Sequence, residues 1–445
     1  MFGRRGWWAG SSVALVLASA SPAWATQPLQ DFLERAQTQN FDVRESNATE
    51  RQRGSEADVV LGRLTPAFSA RGQYTRNQSE VSAQFPGVPT PIVISPQDQL
   101  DAVFQLDVPI VDLANYHRYK SAKSIAKSAG EQRDATFIDV SRSVARAYYT
   151  FLGASALVTS AQRSIAAAQD NLNLVSERRG AGAATELDYE RAASAVARAQ
   201  QDLADAELGV ALAGRALATL SGLEPQPVLE YPPEDDLHPE GPLQNWLARA
   251  GDTPAVRAAQ HQHEAVQQNR KAAGRALLPT LAGSAQERMS NATGFAGRAN
   301  SYQLQVVLNW RLDYGLIATT DAQDAALDAQ TVRLERSRRA AEDATFEAFQ
   351  RVTNGISNSR SSRVEAQSAA RAAELASTRY DAGVATQLDV TQAQRDAFLA
   401  SAARIQSDAE LAYARAALRL AVGERISGSG ATTTTRAPAA PEMNR

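Results

Sequence analysis

The sequence predicts a mainly helical chain that carries four strands of a membrane β-barrel and cannot close that barrel alone. Three observations support this reading: an internal duplication, short stretches of strict two-residue alternation, and two very long runs that favour helix and contain no proline.

The duplication is clearest in a short turn. Between Ala181 and Asp188 the chain reads AGAATELD, and 201 residues later, from Ala382 to Asp389, it reads AGVATQLD. The same offset extends to Leu217/Leu418 and Gly222/Gly423, and it pairs Asp112 with Asp313. Further upstream the best offset is 213, which pairs Val43-Arg44 with Val256-Arg257 and Pro66 with Pro279. The difference of twelve (213 − 201) places extra residues in the segment 78–97, expected to be a loop longer than its counterpart at 289–300. The halves are therefore 26–224 and 240–424, each with a helix, two strands and a long helical hairpin. The Pro-rich segment 225–239 is expected to be an irregular connector, because prolines exclude helix and central strand. The polar, low-complexity end at 425–445 is expected to be a disordered tail.

The strands follow from alternation. Leu100, Ala102, Phe104, Leu106, Val108 and Ile110 share one face, opposite Asp101, Gln105 and Asp107. Tyr302, Leu304, Val306, Leu308 and Trp310 alternate with Ser301, Gln303, Gln305 and Asn309. These two faces align at an offset of 202, so a one-residue slip is expected before the shared Asp112/Asp313 pair. Phe68, Ala70, Gly72 and Tyr74 form a third stretch, and 280–289 a loosely patterned fourth. Segments of about ten residues suit a membrane-spanning strand, and about eight strands are the minimum for a barrel. Open edges in lipid leave backbone groups unsatisfied, so several copies must share one barrel.

The helices follow from composition. From Asp112 to Arg178 and from Asp313 to Arg379, each run has 67 residues rich in Ala, Gln, Glu, Arg and Leu, about 100 Å of helix. Gly153 and Asn354-Gly355 are positions where these helices could bend. Large apolar residues are sparse, as expected where small residues form the contact seams of a water-filled tube. At each tip, Gly182 or Gly383 supplies a left-handed turn. Thr185 and Thr386 then stand at N-cap positions with Asp188 and Asp389 three residues on, the spacing of a capping box.

Several function classes are disfavoured. A net charge of −3 gives no nucleic-acid footprint. The chain has no cysteine, no GxSxG, no phosphate loop and no HExxH, so an enzyme is not expected. His261 and His263 are two apart and point in different directions on a helix, so no metal site and no cofactor are expected. Residues 1–25, with Arg4-Arg5, the apolar Ser11–Ala20 and Ala23-Trp24-Ala25, have the form of an export signal.

With these features the sequence resembles the TolC-like outer membrane efflux proteins. The resemblance covers nearly the whole mature chain and rests on the duplication, RYDAGVATQLDVTQAQ (379–394), VARAYYTFLGA (144–154), LTPAFSARGQY (64–74) and VPIVD (108–112). It implies a homotrimer with a shared 12-strand barrel in outer membrane lipid and a long periplasmic α-barrel. It also implies an equatorial belt containing the connector, and a passive export duct coupled to a periplasmic adaptor and an inner-membrane pump. By the same resemblance, Gly182, Ala184, Thr185, Gly383, Ala385 and Thr386 are adaptor-docking tips. Tyr380, Asp389, Gln392 and Asp188 fall at the periplasmic gate. Gln392 stands where some members carry a second aspartate, and Ala385 where the basic partner of the gate tyrosine would be. The alternative is an exported coiled-coil structural or adaptor protein without a channel. An adaptor would carry a single hairpin interrupting a β-rich domain, whereas here there are two hairpins and the strands precede the long helices.

Overall fold

A computed structural model describes residues 27–87, 89–226 and 235–426. The expected export signal, most of the connector and nearly all of the expected tail lie outside the described residues.

Each half opens with two helices where the sequence reading has one. In the first half these are α1 (Leu29–Gln39) and α2 (Phe41–Gly62). Asn40 separates them: its Oδ1 accepts from the amides of Asp42 and Val43, and its Nδ2 donates to the Leu220 carbonyl at 3.0 Å. The chain continues through β1 (Ala67–Arg76), β2 (Val81–Ala83), β3 (Ile92–Ser95), β4 (Asp98–Val111), α3 (Leu113–Gly180) and α4 (Glu186–Ser221). The second half has α5 (Leu243–Ala250), α6 (Pro254–Arg275), β5 (Thr280–Ser290), a 3-10 turn (Gly294–Ala296), β6 (Asn300–Asn309), α7 (Tyr314–Asp381) and α8 (Gln387–Ala421).

Two expectations are corrected. The 78–97 segment is not wholly loop, because β2 and β3 pair antiparallel within it. Val81 and the β-branched run Ile92-Val93-Ile94 favour extended backbone, and Phe85 packs edge-on against Phe295 of the other loop at 5.7 Å. The long helices run to Gly180 and Asp381, two residues beyond Arg178 and Arg379, because the last turn continues into the cap. Neither Gly153 nor Gly355 interrupts them.

The main sheet is antiparallel in the order β1-β4-β5-β6, so the two halves meet at the β4–β5 pair. Its register places Phe68, Tyr74, Leu100, Phe104, Leu106, Leu304, Val306 and Leu308 on one face. Ser69, Arg71, Gln73, Asp101, Gln105, Asp107, Gln286, Gln303 and Gln305 occupy the other. All eight of those large apolar side chains are exposed. Tyr302 at one end of β6 and Trp310 just past the other mark the aromatic borders typical of a membrane barrel. Between Pro109 and Val111 the β4–β5 register shifts, which leaves Ile110 as a bulge. This extra residue accounts for the one-residue slip between the halves. Among the described residues, no helix is long and apolar enough to cross a membrane.

Asp112 and Asp313 start the long helices, accepting the amides of Asn115 (2.8 Å) and Leu316 (3.0 Å). Near the strands, α2, α3, α6 and α7 lie side by side; nearer the tips the order is α4, α3, α8, α7. One edge of the protomer is therefore β1, α2 and α4, and the other is β6 and α7. The seams are lined by small residues, such as Ala161 and Ala168 of α3 and Ala192, Ala199 and Ala206 of α4, which let helices approach closely.

Larger apolar residues concentrate midway along the helices. Phe32 and Leu33 of α1 pack on Val144, Tyr148 and Phe151 of α3 and Leu217 of α4. At the repeat-related place, Val352 of α7 and Leu411 and Leu418 of α8 receive Leu237 and Trp246. Here the end of the connector is pinned by Arg415, whose guanidinium donates to Asp235 (2.7 and 3.0 Å), Glu240 (2.7 Å) and the His238 carbonyl (2.8 Å).

Candidate functional site at the paired helical tips

Each tip is a glycine turn followed by a capping box. Gly182 and Gly383 have φ of +77° and +74°, where a Cβ is strained. Their amides donate to the carbonyls of Arg179 (2.9 Å) and Tyr380 (3.0 Å), which closes the ends of α3 and α7. The next helices begin at once. Thr185 Oγ1 accepts from the Asp188 amide (3.2 Å), and Asp188 accepts from the Thr185 amide (3.2 Å). Thr386 and Asp389 repeat the arrangement at 3.3 and 2.8 Å. The backbone amide and hydroxyl of Thr386 hold the Asp389 carboxyl below the usual carboxylate range, with the nearby charge of Arg379 adding to the effect.

Between the two turns lies a small core of Val175, Ala192, Tyr380 and Val390. Arg178 covers it. Its Nη1 donates to the Tyr380 carbonyl at 2.8 Å and its Nη2 to the Asp381 carbonyl at 3.1 Å, while its guanidinium carbon sits 4.5 Å from the Tyr380 ring centroid. Arg179 lies over the Tyr189 ring at 3.8 Å and pairs with Glu186 at 2.9 Å.

The six expected tip residues divide into two groups. Gly182, Thr185, Gly383 and Thr386 are exposed at the extreme end, with open space around both glycines. Ala184 and Ala385 are half-buried and support the turns from inside. Of the four residues expected at the gate, Tyr380 is buried in the tip core. Asp389 and Gln392 are exposed on α8, with Gln392 donating to Asp396 at 2.8 Å, and Asp188 lies on the other hairpin within its own cap. Two features were missed from the sequence. Leu187, Val384 and Leu388 are apolar and exposed beside the turns, and Arg178 joins hairpins more than 200 residues apart. The recurrence of arginine at 178 and 379, four residues before each turn glycine, is the signal that could have found the second.

Elsewhere, His261 faces Glu264 and His263 faces Thr331. Asp235, Asp236 and His238 come together, but a guanidinium already occupies Asp235.

This architecture has known counterparts. The toluene efflux pump outer membrane protein TtgC of Pseudomonas putida is 24% identical over 416 residues, covering 87% of this chain and 82% of TtgC. A membrane protein from Pseudomonas aeruginosa superimposes with a TM-score of 0.77 at 21% identity, covering 89% of this chain and 90% of that one. The outer-membrane channel OprN superimposes with a TM-score of 0.74 at 20% identity, covering 95% and 99%. The description of outer membrane efflux proteins as a family matches residues 32–223 and 247–424, most of both halves, and the chain belongs to that family.

Proposed function

We propose that three copies of this chain close edge to edge into one passive export duct. As an outer membrane efflux protein, the chain is an outer membrane channel with most of its mass in the periplasm. In the proposed trimer, β1 of one copy pairs with β6 of the next to make twelve strands. Below the membrane, α2 and α4 meet α7 of the next copy. The observation that carries this reading is that each layer of the protomer ends in the same two edges, in the same order. An unpaired sheet edge in lipid costs several kcal/mol per backbone group, so four strands cannot stand alone there. A coiled-coil scaffold would have no use for a sheet whose apolar face is exposed along its length.

The exposed tips, Gly182, Thr185, Gly383 and Thr386 with Leu187, Val384 and Leu388, offer a polar turn flanked by apolar side chains, with Ala184 and Ala385 supporting the turns. They would dock a periplasmic adaptor that couples the duct to an inner-membrane pump. The duct performs no chemistry of its own and needs no metal or cofactor. Tyr380, Asp389, Gln392 and Asp188 lie at the level of the entrance.

The first test is the mass of the detergent-extracted protein, with conductance in a planar bilayer. Three chains per particle and discrete current steps are expected; a soluble monomer without steps rejects the duct. In the same assay, three Asp389 carboxylates around the axis should favour cations, the more so at low salt. Because the folded pKa is depressed, the charge persists at neutral pH and is lost only as pH falls below the ordinary carboxylate range. Asp389→Asn is expected to remove the preference at every pH, and an unaltered preference would exclude an acidic constriction there.

A further inference from the structure

We propose that a hollow in the inner wall of the duct, between α3, α8 and α7 of each copy, binds a planar aromatic anion. Its place facing the bore rests on the trimeric duct proposed above.

The hollow lies level with the apolar clusters midway along the helices, on the opposite face of the same three helices. On α3, Val144, Tyr148 and Phe151 turn toward α1, while Arg146, Tyr149 and Gly153 lie about half a turn away and line the hollow. On α8, Leu411 and Leu418 meet Leu237 and Trp246, while Tyr413 and Ala409 line the hollow. With α1 and the end of the connector behind it, the hollow opens to the bore of the duct. Of its three helices only α7 is an edge of the protomer, so joining the copies leaves it uncovered.

The size and lining are those of a small-molecule site. The volume is about 930 Å³, and such sites occupy roughly 300–1,000 Å³. Small residues make the room. A Cβ on Gly153 would stand 3.3 Å from that of Ala409, so α3 and α8 run close together there, and Ala402 adds little bulk. Tyr149 and Tyr413 supply aromatic walls, and among the described residues neither hydroxyl makes a hydrogen bond. Burial pushes the ionisation of Tyr149 up, so its hydroxyl stays neutral and able to donate.

Charge decides the class of ligand. Arg142 pairs with Asp139 (3.0 Å) and Arg351 with Glu347 (2.6 Å), while Glu410 accepts from Gln406 (3.0 Å). Among the described residues the Arg146 side chain has no acidic partner and no hydrogen bond; its guanidinium carbon lies 5.8 Å from the Tyr413 ring centroid. A guanidinium without a counter-charge, beside two rings with free hydroxyls, suits a flat ring system that carries a carboxylate or sulfonate.

The repeat shows that the helix seam does not require these groups. It carries Arg146 onto Glu347 (146 + 201 = 347), Tyr149 onto Gln350 (149 + 201 = 350) and Tyr413 back onto Leu212 (413 − 201 = 212). The equivalent place between copies lacks both rings and the cation. A trimer therefore holds three such sites rather than six.

Photolabelling tests this. Detergent-extracted trimers are illuminated with 4-benzoylbenzoate, an aromatic carboxylate that attaches where it is bound, and the labelled peptides are mapped by mass spectrometry. Label is expected on α3 between Arg142 and Leu157 and on α8 between Ala402 and Ala417. Arg146→Gln, at an exposed position, should lower it about tenfold, the loss of one charge-assisted hydrogen bond. Ala402→Phe, which fills the hollow, should abolish it. The cationic analogue 4-(aminomethyl)benzophenone should label the same peptides far less, and equal labelling by the two overturns the anion site. Trimers that give current steps but carry no more label there than the Arg146→Gln variant overturn the site and leave the duct standing. An unsubstituted chain that is monomeric and gives no steps removes both.

Discussion

Arginine in place of Leu304 is expected to prevent assembly in the outer membrane. Leu304 lies in the middle of β6, is 73% exposed, and stands on the apolar face opposite Ala285. A guanidinium on the lipid face near the bilayer midplane costs about 2–4 kcal/mol, and three copies of the chain place three of them in one barrel. The neighbouring residue gives the control. Gln305 points to the polar face, so Gln305→Arg should assemble normally and alter only conductance or selectivity. Outer-membrane fractionation and heat-modifiable gel migration distinguish the two. Equal assembly of both variants would mean that the exposed apolar face does not meet lipid.

The second large effect is expected at the middle of the molecule. Arg415 is only 6% exposed, and its guanidinium satisfies Asp235, Glu240 and the His238 carbonyl together. The side chains of Asp235 and Glu240 retain 19% and 9% of their exposure, so Arg415→Met leaves two carboxylates poorly solvated and without their cation. Removing one partner of such a buried pair costs about 3–5 kcal/mol. The expected results are a lower unfolding temperature and new protease cleavage near Asp235. Replacing the acids as well, with Asp235→Leu and Glu240→Leu, should recover most of the loss, because well-packed apolar groups often replace buried ion pairs without penalty. If the single variant melts normally, the connector is held by Leu237 and Trp246 rather than by its charges.

The local rules written into this sequence were largely legible. Both capping boxes need only a threonine and an aspartate at the right spacing, and the structure forms both. Alternation was plain in β4 and β6, where nearly every second residue from Leu100 to Ile110 and from Tyr302 to Leu308 is large and apolar. β5 was harder to recognise because Ala282, Gly283, Ser284 and Ala285 offer little contrast between its faces, and its register is imposed by β4 and β6 on either side. A change of offset from 201 to 202 betrayed the bulge at Ile110 without showing where it lay. Contacts between distant positions were not legible. Nothing near Arg178 indicates that its acceptors are the carbonyls of Tyr380 and Asp381, and nothing near Arg415 indicates Asp235 and Glu240. Such pairs exist only once the helices have been laid side by side. The second tip helps in retrospect, since a repeat states each contact twice.

The uninterrupted length of α3 and α7 has a mechanical consequence. Each is gripped by a cluster of large apolar residues partway along, and below it the seams are mostly small residues down to the compact core at the tip. From Leu152 to Gly180 the helix climbs 28 residue steps (180 − 152), a rigid arm of roughly 42 Å. A tilt of about 5° at the cluster swings the far end by about 4 Å, estimated from that arm length. No hydrogen bond inside the helix breaks, and the strands on the other side of the fulcrum scarcely move. In the proposed duct, a lever of this kind would convert a small push on the hairpin ends into an aperture while the barrel in the membrane keeps its shape.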